Sequence, residues 1–124
     1  MAKYFTVEEA NQVVQIIRPL MKQLLELRRS IQVKQPEAWP ALEKAAGNGG
    51  NKVTSQIALE FMKLESIVHA IQGTGAVVKD LNAGLVDFLT IRDGREVYLC
   101  WQYGEEEIQY WHDIETGFSG RQPL

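Results

Sequence analysis

The chain has 124 residues, 45% of them apolar, with a formal net charge of -3 and a pI near 5.4. That length holds one modest domain, 1–124, and the acidic balance offers no field to draw nucleic-acid phosphates or an anionic membrane surface. No run reaches the roughly 18 to 20 apolar residues of a membrane span, no signal-type apolar segment follows the first residues, and the single cysteine, Cys100, excludes an intrachain disulfide and a multi-cysteine zinc site, so a soluble cytoplasmic protein is expected.

Phe5-Thr6-Val7-Glu8-Glu9 opens a helix: Thr6 is the N-cap, Glu9 completes a capping box, and Phe5 is placed to staple the first turn. Ala10, Val13, Ile17, Leu20, Leu24, Leu27 and Ile31 then recur at spacings of three and four, an apolar seam that wants a partner helix. Pro19 removes one backbone donor, but the seam resumes in phase at Leu20, which predicts a kinked continuous helix rather than two.

The pattern is lost over 35–52. Pro36, Trp39 and Pro40 suggest a short packed segment, and Gly47-Asn48-Gly49-Gly50-Asn51 reads as a flexible loop within this connection. GNGGNKV lacks the spacing of a phosphate-cradling GxxxxGK[ST] loop and follows no strand pattern. A second helix is predicted over 53–72, with Ile57, Phe61, Leu64, Val68 and Ile71 at heptad spacing and Gly73 ending it. Two such helices, about 40 and 30 Å long at 1.5 Å per residue, make an antiparallel hairpin. Its open side must be covered by a sheet, by a second copy, or by both.

Residues 76–124 carry strands and a tail. Ala76-Val77-Val78 reads as a short strand, and LVDFLTIR and REVYLCWQ flank Asp93-Gly94, the signal for a two-residue type I′ hairpin. That turn sets Arg92 opposite Arg95, Thr90 opposite Val97, Phe88 opposite Leu99, Asp87 opposite Cys100 and Val86 opposite Trp101. Val86, Phe88, Thr90, Val97, Leu99 and Trp101 then form the core face, while Leu85, Asp87, Leu89, Ile91, Glu96, Tyr98, Cys100 and Gln102 form a mixed face. A third strand near 107–112 completes a meander, but its register, and so the face of His112, depends on a loop length the sequence does not fix. DIETGFSGRQPL reads as an irregular tail anchored by Phe118. The fold class expected is α+β, a long antiparallel helical hairpin over 5–72 with a small C-terminal antiparallel β-meander.

The runs VKDLNAGLVDF, RDGREVYLCW, GEEEIQYWH and GFSGRQPL, with FTVEEAN opening the first helix, closely resemble a family of small bacterial proteins catalogued as a domain of unknown function, the "twenty-two oh three" family. The resemblance spans nearly the whole chain and is weakest over 35–52. It implies one self-contained bacterial domain and brings no activity, cofactor or catalytic residue.

The residues able to carry chemistry are Asp87, Cys100, Glu105, Glu107, His112, Asp113, Glu115 and Arg121. Asp87 is the most informative, since a carboxylate midway along an apolar strand must be solvated, paired or coordinated, and Arg121 from the tail is a candidate partner. Cys100 reads as a small core residue, because no feature stabilises its thiolate. Strand alternation separates His112 from Asp113, which weakens them as a joint ligand pair. His69 flanks the second helix, and the aromatics Tyr98, Trp101, Tyr103, Tyr110 and Trp111 read as core and cross-strand pairs. No nucleophile-elbow, HExxH, P-loop or dinucleotide fingerprint occurs.

Two functions of different classes remain open. One is a non-enzymatic interaction or scaffold module that self-associates as a homodimer or higher even oligomer through its helices. The other is a small-ligand or metal site, with hydrolysis open to it, around Asp87, His112 and Arg121.

Overall fold

The structure, a computed structural model, describes residues 3–46 and 57–124. α1 (Val7–Lys34) is continuous through Pro19 and opens on the full capping box: Glu9 N–H donates to Thr6 Oγ1 at 3.1 Å, and Thr6 N–H donates to Glu9 Oε1 at 2.9 Å. A 3₁₀ turn (Pro36–Ala38) leads into α2 (Trp39–Ala45), which buries Trp39 and Leu42. The Gly47 to Asn51 loop and the first turn of the predicted second helix lie outside the described residues. α3 (Ala58–Gly73) runs antiparallel to α1: Lys34 at the end of α1 pairs with Glu60 at the start of α3, and Lys3 before α1 donates to the Thr74 carbonyl just after α3.

A single antiparallel sheet follows, in the order β1 (Val77–Asp80), β2 (Leu85–Arg92), β3 (Arg95–Gln102), β4 (Tyr110–Asp113), β5 (Gln122–Pro123). The β2/β3 register agrees with the Asp-Gly expectation at every pair, from Val86 opposite Trp101 to Arg92 opposite Arg95. Asp93 and Gly94 both take positive φ, 51° and 79°, as a type I′ turn requires. The residue that tolerates this without a Cβ penalty sits second in the turn.

The core forms where the helices lie on one face of this sheet. Ala10, Val14, Ile17, Met21, Leu24 and Ile31 of α1 and Phe61, Leu64, Val68 and Ile71 of α3 join Val86, Phe88, Val97, Leu99 and Trp101 in one buried cluster. The helical seams are therefore covered within one copy of the chain. Val14 and Met21 are fully buried while Val13, Leu20 and Leu27 are half-buried, a wider stripe than a strict heptad, because α1 packs on α3 and on the sheet at once. Phe5 N–H donates to the Leu89 carbonyl at 2.8 Å and its ring meets Phe88 edge-on at 5.2 Å, so the segment before α1 also closes the core.

The loop between β3 and β4 is fastened rather than free. Trp101 Nε1 donates to the Glu105 carbonyl at 2.9 Å, Ile108 N–H donates to Asn11 Oδ1 at 2.8 Å, and Arg18 reaches the Glu105 and Glu106 carbonyls. These bonds set the register that the sequence left open: Tyr98 pairs with His112, Leu99 with Trp111, and Cys100 with Tyr110. The tail departs from the irregular reading. It makes a 3₁₀ turn (Phe118–Gly120) and then adds β5 beside β4, with Tyr110 opposite Pro123, Trp111 opposite Gln122, and Leu124 N–H donating to the Gln109 carbonyl at 3.0 Å.

Candidate functional site

The face of the sheet turned away from the helices would ordinarily be solvated, yet at its centre Asp87, Cys100 and His112 are all buried, between 1% and 2% exposed. Strand alternation explains why they share that face. Asp87 on β2 lies directly opposite Cys100 on β3, which lies opposite Tyr110 on β4, and His112 is two residues beyond Tyr110. The side chains of Asp87 and His112 reach over the middle strand and touch. His112 Nε2 is 3.0 and 3.1 Å from the two Asp87 carboxylate oxygens.

Proton placement follows from what each ring nitrogen faces. His112 Nδ1 lies 2.8 Å from the backbone carbonyl of Asp113, which can only accept, so Nδ1 carries a proton and donates. Nε2 faces a carboxylate, which when ionised also only accepts. One proton is therefore held between Nε2 and Asp87, and the pair is neutral as a unit whichever partner keeps it.

The third member is constrained differently. Burial, then the negative charge of Asp87, push the Cys100 thiol up to about 12, although the nearby Arg121 guanidinium acts in the opposite direction. A nucleophilic Cys-His-Asp triad needs the imidazole between thiol and carboxylate, using a different nitrogen for each. Here one nitrogen serves a backbone carbonyl and the other serves Asp87, so the geometry is not that of a triad.

Arg121 is not the partner of Asp87. Its guanidinium makes a two-pronged pair with Glu105 at 2.9 and 2.7 Å, donates to the Cys100 carbonyl at 3.3 Å, and lies over the rings of Tyr110 and Phe118. Burial acts to lower its pKa, but its hydrogen bonds to Glu105 and Cys100 outweigh that and raise it. β5 causes this placement, since its pairing on β4 carries Arg121 along the Cys100 and Tyr110 row instead of across to β2. Of the three residues singled out in the sequence, Asp87 and His112 converge while Arg121 stands at the rim beside Cys100. Glu105, one of the residues able to carry chemistry in the sequence but not matched there with Arg121, is the carboxylate that Arg121 requires; its spacing three residues after Gln102, whose N–H it accepts at 2.7 Å, was the available signal.

The remaining candidates disperse. Asp113 pairs with Arg95, Glu107 and Glu115 are exposed, and His69 is exposed on α3. Over the cluster, the Tyr98 ring lies 5.7 Å from that of His112 and holds the Lys79 ammonium against its face. The arrangement is closed, with both ring nitrogens of His112 and both oxygens of Asp87 engaged.

Searches among curated proteins and among solved structures gave no match. The model of one family, described as an uncharacterized conserved protein (DUF2203), matches residues 3–124, and the chain belongs to that family.

Proposed function

We propose that this protein is a non-enzymatic cytoplasmic module that self-associates as a homodimer through the outward faces of α1 and α3. The observation that carries the reading is on α3, where Leu59 and Met62, three residues apart on one stripe, are 72% and 62% exposed. Beside them a groove between the helices has Leu27 and Ile67 among its lining residues, with Glu26 on the α1 side and Lys63 on the α3 side. Because Glu26 and Lys63 line the same groove with opposite charge, a two-fold axis through it can set Glu26 of each copy toward Lys63 of the other, the self-complementarity that an isologous contact needs. The interface differs from the seam expected in sequence, since Leu24 and its neighbours are already covered inside one chain.

The polar cluster supports the non-enzymatic half of the proposal. A substrate has no approach to side chains that are 1% to 2% exposed, and both His112 nitrogens are engaged. An unpaired, buried cysteine fits a reducing compartment.

Sedimentation equilibrium at micromolar concentration tests it. The wild type should show twice the chain mass of 14.1 kDa, and the double substitution Leu59→Glu with Met62→Glu should return it to one chain mass with an unchanged circular dichroism spectrum. A wild-type monomer, or a dimer indifferent to both substitutions, would overturn the proposal.

A further inference from the structure

We propose that Asp87, Cys100 and His112 form a buried site for one divalent transition-metal ion of the zinc class, independent of the helical face. The ligand atoms of the three side chains lie within 4.8 Å of one another, and all three residues are buried. Each residue offers one ligand atom, an imidazole nitrogen, a sulfur and a carboxylate oxygen, and because both oxygens of Asp87 are turned toward His112, the carboxylate supplies a fourth donor when it binds through both. Four donors of this mixed type suit a borderline ion such as zinc or cobalt, whereas magnesium and calcium prefer oxygen alone.

The surroundings are arranged as a ligand shell is. His112 is oriented by its Nδ1 donating to the Asp113 carbonyl, which leaves Nε2 facing Asp87 as a metal-binding nitrogen. Arg121, the cation closest to Cys100 in the hydrogen-bond network, is neutralised by its two-pronged pair with Glu105. Arg121 also fixes the strand carrying the thiol by donating to the Cys100 carbonyl.

Charge selects the valence. Without an ion, the cluster holds a neutral thiol and an Asp87/His112 pair that shares one proton. A divalent ion displaces two protons, the one on Cys100 and the one between Asp87 and His112, and leaves a thiolate, a carboxylate and a neutral imidazole around it. The buried unit is neutral before and after. A monovalent or trivalent ion would leave a net charge in a dry environment, which is costly.

Because the cluster is closed, the experiment loads it during folding. The full chain, unfolded with a chelator and refolded with one equivalent of Co²⁺, should show the visible bands of tetrahedral cobalt and a thiolate-to-cobalt charge-transfer band, at one ion per chain, with Zn²⁺ displacing them. Cys100→Ala, checked for native circular dichroism, should lose the charge-transfer band. Asp87→Asn should weaken cobalt binding by at least about tenfold. If Cys100→Ala does not fold, native mass spectrometry of the wild type refolded with Zn²⁺ decides: a zinc-bearing chain mass supports the site, and an ion-free mass overturns it. Absence of the thiolate band in the wild type, or the same band in folded Cys100→Ala, would also overturn it.

Discussion

Asp87 on β2 and His112 on β4 meet above the intervening strand, with His112 Nε2 3.0 and 3.1 Å from the two carboxylate oxygens and both residues 2% exposed. Each is the answer to the other's burial. Removing one partner should therefore cost much more than replacing it by a group that preserves the hydrogen bond. His112→Ala strands a buried carboxylate and should destabilise by about 3 to 5 kcal/mol. Asp87→Asn should cost about 1 kcal/mol, because its amide can donate to the Nε2 lone pair of a neutral imidazole protonated at Nδ1. Urea unfolding of the two variants under metal-free conditions reads the difference, and equal losses would show that the pair is not the main determinant.

Cys100 should be inert in the folded protein. With its thiol pushed up to about 12, the thiolate fraction at pH 8 is about one part in ten thousand, and the side chain is sealed from solvent. Alkylation by iodoacetamide at that pH should be negligible until denaturant is added. Rapid modification of the native protein would contradict the closed geometry.

Arg121 should act as the pin of the C-terminal tail. Its pair with Glu105 is largely buried, at 13% and 22% side-chain exposure, and its guanidinium also lies on two aromatic rings. Arg121→Ala should destabilise by about 1 to 3 kcal/mol and expose the Leu124 amide to hydrogen exchange. Arg121→Lys should rescue little, since an ammonium cannot make the two-pronged contact or stack in the same way.

A smaller effect is expected at the α1 and α3 ends. Lys34, first, and then Ser30 donate hydrogen bonds to Glu60 and hold its carboxyl below the ordinary glutamate range. A depressed folded value means that the stabilisation is fully present above the ordinary value and is lost as pH falls through the folded one. The acid limb of the stability curve should therefore flatten in Glu60→Gln, by under about 1 kcal/mol because the pair is near the surface. A steeper acid limb in that variant would reverse the sign of the argument.

What the sequence disclosed follows the range of the forces involved. Thr6 and Glu9 interact across three residues, and Asp93-Gly94 sets the β2/β3 ladder through one turn, so the cap and the hairpin register were both legible. The face of His112 was not, because it is decided by contacts from Asn11 and Arg18, nearly a hundred residues away, to the loop before β4. β5 escaped notice for a different reason. Two residues paired through their backbones leave no hydrophobic period, and that short strand is what sends Arg121 to Glu105 instead of Asp87.

The closed state of the Asp87, Cys100 and His112 cluster stands or falls on where the imidazole protons lie, and nitrogen NMR of the histidine rings in the metal-free protein reads this directly. At neutral pH, His112 should show a protonated Nδ1 in slow exchange with water and an Nε2 whose shift moves when Asp87→Asn removes the shared proton. A neutral ring with its proton on Nε2 and a bare Nδ1, or rapid exchange at Nδ1, would contradict the geometry on which the site is built.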